Sequence, residues 1–237
     1  MPRLKAVFFD MGGTLLDMKA DKAAHLIVLE ATKVRYGLDV SVEQLHTWII
    51  DYLYKFQASQ ERRWRSILEL TEEAFREQMA RLGVDVDRRD SEWFMKTYKA
   101  TYRKGVRLTA GAIDTLRGAK LMGLHVGILS DADNEWVDMV LGSLGVRPFL
   151  DSITTSESVG VAKPNPRIFV AALRKAKCEP AEAILIGDAI DRDVRGAKAI
   201  GMKTVHLAPT PSAEADFQIK TMTELLPILR QLTEAAK

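Results

Sequence analysis

Short apolar runs that stop at a carboxylate, hydroxyl or glycine constrain this chain most. The first is Ala6-Val7-Phe8-Phe9, which ends at Asp10. Comparable runs occur at His125 to Leu129, Ala183 to Ile186 and Thr204 to Leu207. Continuous apolar segments of this length, rich in β-formers, suit strands buried on both faces of a parallel sheet. Between them, Ala112 to Met122, Asn134 to Leu144 and Arg167 to Ala176 carry the 3.6-residue period of helices. Asp216 to Ile219 reads as a last short strand and Glu224 to Leu232 as a closing helix. From about residue 108 onward strand and helix alternate, which predicts βαβ units in a Rossmann-like, doubly wound α/β sheet.

The stretch 19–104 breaks this rhythm. It offers no convincing strand. Its apolar residues recur at helical spacing in His25-Leu26-Leu29, in Leu45-Trp48-Ile49-Tyr52-Leu53 and in Phe94-Tyr98-Tyr102. A helical insertion directly after the first strand of an open sheet predicts a lid. The expected organisation is a catalytic core of 1–18 and 105–237 with an all-helical cap domain of 19–104. Within the insertion, Glu61-Arg62-Arg63-Trp64-Arg65 reads as a charged helix face with a partly buried Trp64. The aromatic residues read as the packing of the insertion's own core.

The chain has 237 residues and a formal net charge of +2. That balance gives no electrostatic case for nucleic acid or for an anionic membrane as partner. No run of 18 apolar residues is present, so no membrane span is expected. The single cysteine, Cys178, excludes an intrachain disulfide and fits a reducing compartment. The expected setting is cytoplasmic, as monomer or homodimer.

In open α/β sheets ligands bind beyond the carboxyl ends of the strands. Those ends carry Asp10-Met11-Gly12-Gly13-Thr14, Ser130-Asp131, and Gly187-Asp188 with Asp191 and Asp193 close behind. Lys163-Pro164-Asn165-Pro166 precedes the helix at Arg167. If the sheet is as expected, these groups share one rim, and each has work in phosphoryl transfer. Carboxylate oxygens from separate strands suit a hard cation such as Mg²⁺. A carboxylate can attack phosphorus, and Lys163 supplies positive charge for that attack. Gly12 and Gly13 allow a tight turn whose N–H groups point at phosphate oxygens. Ser130 adds a further donor.

With these residues in view, the sequence resembles the haloacid dehalogenase-like hydrolase superfamily. The first family motif matches Val7-Phe8-Phe9-Asp10-Met11-Gly12-Gly13-Thr14-Leu15. The second matches Gly127-Ile128-Leu129-Ser130 and the third Lys163-Pro164-Asn165-Pro166-Arg167-Ile168-Phe169. The fourth matches Gly187-Asp188 through Asp193, with Gly196-Ala197 and Gly201-Met202. The resemblance implies a helical cap of the phosphoglycolate phosphatase-like branch and an Mg²⁺-dependent phosphohydrolase acting on a small phosphorylated substrate. Residue by residue it implies Asp10 as nucleophile and metal ligand, the backbone carbonyl of Gly12 as a second ligand and Asp188 as a third, with Asp193 supporting it. Gly12, Gly13, Thr14, Ser130, Asp131 and Lys163 are implied around the phosphate, Ser130 and Lys163 also acting in catalysis.

One position departs from the pattern. Two residues after the nucleophile the family's phosphatases carry a second aspartate, which protonates the leaving oxygen and then activates water. Here that residue is Gly12. Losing a positioned acid/base costs about 10²–10⁴-fold in rate. The chain is therefore expected to favour aryl or acyl phosphates over alkyl phosphates, or to turn over slowly. Asp17, Asp131 and Asp133 stand closer to the expected rim as surrogates, while His25 and His46 lie in the insertion and could reach inward only if it closes. Dehalogenase relatives carry tyrosine at this position and phosphonatases alanine with a cap lysine. The intact Asp188 and Asp193 pair argues against metal-free dehalogenation. Lys19, Lys22, Lys33, Lys55, Lys96, Lys99 and Lys104 are available for the second chemistry without one standing out. A metal- and phosphate-binding protein impaired in catalysis is the remaining alternative.

Overall fold

A computed structural model describes residues 3–57, 64–210 and 212–234. Of the charged run in the insertion, 61–63 lie outside the described residues, while Arg65 reaches Glu73 at 2.5 Å. Six strands form one parallel sheet: β1 (Ala6–Phe9), β2 (His125–Ser130), β3 (Ser152–Thr155), β4 (Ala183–Gly187), β5 (Lys203–Leu207) and β6 (Phe217–Ile219), in the order β3-β2-β1-β4-β5-β6. The first strand is thus central, flanked by β2 and β4, and every residue of it is buried.

Alternation of side chains along β1 explains why the run is apolar throughout. Val7 and Phe9 belong to the larger core with Val126, Ile128, Ile184 and Ile186. Ala6 and Phe8 point to the other face, with Leu129, Leu185, Ile168 and Phe169. Both faces are covered, as a parallel sheet requires. On the first face lies α5 (Ala112–Leu121), and on the second α8 (Pro166–Ala176). The helices α6 (Asn134–Leu144), α7 (Ser156–Val159), α9 (Gly196–Ala199) and α10 (Leu225–Glu234) complete the core.

Two elements depart from the expectations. β3 reads Ser-Ile-Thr-Thr; it pairs only with β2, so an edge position relieves it of the need for an apolar run. The segment Ile190–Arg195, to which the sequence assigned no element, is π-helical.

The insertion consists of α1 (Met18–Tyr36), α2 (Val42–Gln57), α3 (Ile67–Arg81) and α4 (Arg88–Gly105). Asp17 starts α1 by accepting the Lys19 N–H at 2.8 Å, and Gly37 ends it in the left-handed conformation, a common helix stop. Phe75 and Phe94 stack 4.3 Å apart at the insertion's centre. Its two connections to the core run side by side. Leu16 and Leu108 form an antiparallel bridge, Asp17 donates its N–H to Arg107 at 2.9 Å, and Thr109 donates to Leu15 at 2.9 Å. Among the described residues no helix is long and apolar enough to cross a membrane.

Candidate active site

Register places the polar strand ends at one edge. Phe9 pairs with Ile128 and Ile186, so Asp10 and Asp188 emerge just past β1 and β4 beside Ser130, the last residue of β2. Asp10 is tied there by its own N–H, which donates to Ile186 at 2.9 Å. Lys163 arrives from the loop before α8. Its ammonium donates to Asp10 Oδ1 at 2.7 Å, to Asp193 Oδ1 at 2.6 Å and to the Leu129 carbonyl at 3.3 Å. The Lys163 side chain is only 1% exposed, so its position is set by these three acceptors.

Asp10, Asp188 and Asp193 each offer a carboxylate oxygen within 4.8 Å of the others. Their surroundings differ. Both oxygens of Asp193 are engaged, one by Lys163 and the other by the Ala189 N–H at 3.1 Å. Asp188 Oδ1 is buried with no hydrogen-bond partner, an arrangement that is costly unless something else pairs with it. Its backbone carbonyl accepts from His206 Nε2 at 3.1 Å. Burial pushes the Asp10 carboxyl up to about 7; the Lys163 ammonium opposes this, while Asp193 and Asp188 add to it. Burial disfavours the charged Lys163, but Asp10, Asp193 and Asp131 outweigh it and hold the ammonium above the usual lysine range. Asp188 is raised by burial and by Asp193.

The four carboxylates Asp10, Asp131, Asp188 and Asp193 thus face the two cations Lys163 and Arg192. The set is short of two positive charges, and its donors are hard oxygens, so the residues fit a divalent cation such as Mg²⁺. The turn after β1 is shaped around this cluster. Gly13 has φ +76°, and a Cβ there would lie 2.2 Å from Asp188 Oδ2. Only glycine lets the backbone approach the carboxylate so closely.

Above Asp10 lies a cleft of about 230 Å³, lined by Asp10, Gly12, Ser130, Asp131, Asp188 and Arg192 from the core and by side chains of the insertion, among them Asp21, His25, Tyr98 and Tyr102. Tyr98 and Tyr102 are buried packing residues, as expected of them, and also form part of this wall. Lys163, Gly13 and Thr14 do not line the cleft. Thr14 is fully buried with an unpartnered hydroxyl.

Of the expected surrogates for the missing acid, Asp17 and Asp133 are occupied elsewhere, while Asp131 lines the cleft. Asp17 caps α1. Asp133 accepts the Leu68 N–H at 3.0 Å and so pins the start of α3 to the core. Asp131 Oδ1 accepts from the Lys163 N–H at 2.8 Å and from Ser156 Oγ at 3.0 Å. Its other oxygen is 3.7 Å from Arg192, so the Asp131 side chain orients two cations. His125 begins β2, at the end away from Ser130. Cys178 stands just past α8, half-buried, with its thiol pushed up to about 11 by burial.

Arg192 went unmarked in the sequence. Burial opposes its charge, but Asp131, Asp193, Asp10 and Asp188 together raise its affinity for the proton. Among the described residues it donates no hydrogen bond, and its guanidinium faces the cleft beside Asp131, 3.7 Å away. The only signal was a cation placed between Asp188 and Asp193, which alternating charges on any exposed turn would also give.

A family model described as haloacid dehalogenase-like hydrolase matches residues 4–201. The glyceraldehyde 3-phosphate phosphatase of Methanopyrus kandleri is 27% identical over 244 residues, covering 98% of this chain and 99% of the relative. The haloacid dehalogenase-like hydrolase domain-containing protein 3 of Mus musculus is 40% identical over 134 residues, 53% of each chain. Among solved structures, the HAD-hydrolase YfnB from Bacillus subtilis superposes with a TM-score of 0.77 at 20% identity, covering 97% of this chain and 100% of that one. With the family model spanning most of its length, this chain belongs to the haloacid dehalogenase-like hydrolases.

Proposed function

We propose that this hydrolase is an Mg²⁺-dependent phosphatase that acts on a small phosphorylated metabolite through an aspartyl-phosphate at Asp10. The observation that carries the reading is the Asp10 carboxylate, held by Lys163 at the floor of a cleft and beside the unpartnered oxygen of Asp188. Residues 19–104 act as the cap over that floor. Asp10, Asp188 and the backbone carbonyl of Gly12 would hold the cation, whose contribution when bound is positive charge against the phosphate and the crowded carboxylates.

An oxygen of Asp10 attacks phosphorus, and the bond from phosphorus to the leaving oxygen breaks with its electron pair. Lys163 keeps Asp10 oriented and counters the charge of the incoming dianion. Water then attacks the phosphorus of the aspartyl-phosphate, which frees phosphate and restores the carboxylate. Gly12 has no group with which to protonate the leaving oxygen, so esters with acidic leaving groups react fastest.

The substrate is small. The cleft volume of about 230 Å³ is below the ~300–1,000 Å³ of drug-sized sites. Relatives named glyceraldehyde 3-phosphate phosphatase make triose phosphates the first compounds to assay. The test is hydrolysis of p-nitrophenyl phosphate with and without Mg²⁺, alongside Asp10→Asn. Turnover that needs both the ion and Asp10 supports the reading. Phosphate binding without turnover would replace it with a non-catalytic binding role, and chloride release from 2-chloropropionate without added metal would replace it with a dehalogenase.

A further inference from the structure

On the insertion side of the cleft two polar groups meet without bonding. His25 Nδ1 is buried and has no hydrogen-bond partner. The nearest carboxylate oxygen, Asp21 Oδ2, is 3.9 Å away, beyond hydrogen-bond range. Among the described residues the Asp21 carboxylate accepts no other hydrogen bond. The two residues stand one turn apart on α1 and line the same cleft as Asp10 and Gly12. The imidazole is fixed in place by aromatic neighbours: Tyr98 stacks on it at 5.7 Å and Tyr102 leans against it at 5.5 Å. Most of the wall around the pair is apolar or aromatic, with Leu53, Ile67 and Trp136 among the lining residues.

Polar atoms buried in such a wall are costly unless a ligand bonds them. A separation of 3.9 Å is what one oxygen spans when it sits about 2.8 Å from each of two atoms, with an angle of about 90° at that oxygen. The bridging group must serve both sides. A hydroxyl can donate to one and accept from the other, whichever of the two protein groups carries the proton. An ammonium, which has three donors and no acceptor, could not pair with whichever of the two groups carries the proton. A second anionic group would be repelled by the carboxylate.

We propose that Asp21 and His25 form a subsite for a hydroxyl on the leaving portion of the substrate, so that the favoured substrates are phosphate monoesters of short hydroxylated compounds. The subsite rests on the phosphatase reading given above. It assigns the cap a selective role for particular atoms, at the end of the cleft away from the phosphoryl group.

The experiment compares kcat/KM for glycerol 3-phosphate and n-propyl phosphate, with Mg²⁺ and the full chain. Both are alkyl esters with similar chemistry at phosphorus. The expected preference for the glycerol ester is about 10–100-fold, from two hydrogen bonds to one hydroxyl. Asp21→Leu and His25→Phe each bring that ratio toward one by raising KM for the glycerol ester. Asp21→Asn, which can still bond a hydroxyl and disturbs packing less, retains part of it. Equal rates in the unsubstituted chain would overturn the subsite, as would variants in which both esters fall together. Asp10→Asn separates the two claims: its loss of p-nitrophenyl phosphate turnover leaves the phosphatase reading standing even when the ratio shows no hydroxyl preference, whereas full activity of that variant removes both.

Discussion

Lys163 reaches Asp10 across the sheet edge, its Nζ 2.7 Å from Asp10 Oδ1, and the same nitrogen is 2.6 Å from Asp193. One buried cation therefore offsets two buried carboxylates. Replacing it with an isosteric apolar residue, Lys163→Met, leaves both uncompensated. Removing one partner of a buried ion pair costs about 3–5 kcal/mol, and the loss here depends on pH. Without the ammonium, burial and the neighbouring carboxylates leave the folded-state Asp10 carboxyl binding its proton more tightly than in the unfolded chain. Stability is then retained at low pH and lost as pH rises. Thermal melts of Lys163→Met should fall below those of the unsubstituted chain by more at pH 8 than at pH 5, and phosphatase turnover should drop by at least about 10²-fold.

Gly12 and Gly13 are adjacent but respond differently to substitution. A Cβ on Gly12 meets nothing within 4 Å, whereas on Gly13 it collides with Asp188. Gly12→Asp should fold normally and raise turnover of alkyl phosphates by about 10²–10⁴-fold, with a smaller gain on p-nitrophenyl phosphate, whose leaving group needs little help. Gly13→Ala should displace Asp188 and lower both melting temperature and Mg²⁺ affinity. Steady-state rates on matched alkyl and aryl esters, together with calorimetric Mg²⁺ titration, check the pair.

If Asp188 completes an Mg²⁺ site as proposed, its unpartnered oxygen gains a partner on binding and added Mg²⁺ should stabilise the fold. At an ion concentration about 100-fold above its dissociation constant, binding adds about 2.7 kcal/mol, or roughly 5–10 °C in melting temperature for a chain of this size. Asp188→Asn should lose most of that rise while melting close to the unsubstituted chain when no metal is added. An equal rise in both would exclude Asp188 from the ion's binding site.

Asp21 and His25 carry opposite pH signatures. Burial pushes the Asp21 carboxyl up to about 6, so its contribution to stability is present at low pH and lost as pH rises from about 4 through 6. Burial, with His46 adding, pushes His25 down to about 4, so its contribution is present above its ordinary range and lost as pH falls through 4. His46 on α2, 5.7 Å from the His25 ring and itself held below the usual imidazole range by burial, also faces the pair and stays in place in both variants. Relative to the unsubstituted chain, Asp21→Asn should therefore gain stability between pH 4 and 7, and His25→Gln should gain it as pH falls from 6.5 to 4. Melting curves across that range give the sign of each difference directly.

The core was legible because its physics is local and repeated. β1 was expected at Ala6 to Phe9 and lies there, since a strand covered on both faces must be apolar at every position. β3 was not, because an edge strand of Ser-Ile-Thr-Thr carries no such signature. The rim was legible for a related reason: strand ends in a parallel sheet point one way, so Asp10, Ser130 and Asp188 had to share an edge once the strands were placed. The division of labour among carboxylates was not. Asp131 lines the cleft with Asp10 and Ser130, and its side chain also holds the Lys163 backbone and faces Arg192, contacts no spacing in the sequence announces. Asp21 escaped notice because its place in the cleft depends on how α1 packs against α4, which helical periodicity alone does not specify.

The bridge between Leu16 and Leu108 means that the polypeptide leaves the sheet scaffold and returns to it at one point. A detour with a shared entrance and exit can be shortened, exchanged or grafted from another chain without altering strand order, because the ends it leaves behind are already neighbours. The same bridge lies one short turn from Gly12, which pairs with Leu16 in its own right. Any hinge motion of the helical module is therefore felt first by the peptide units that follow Asp10.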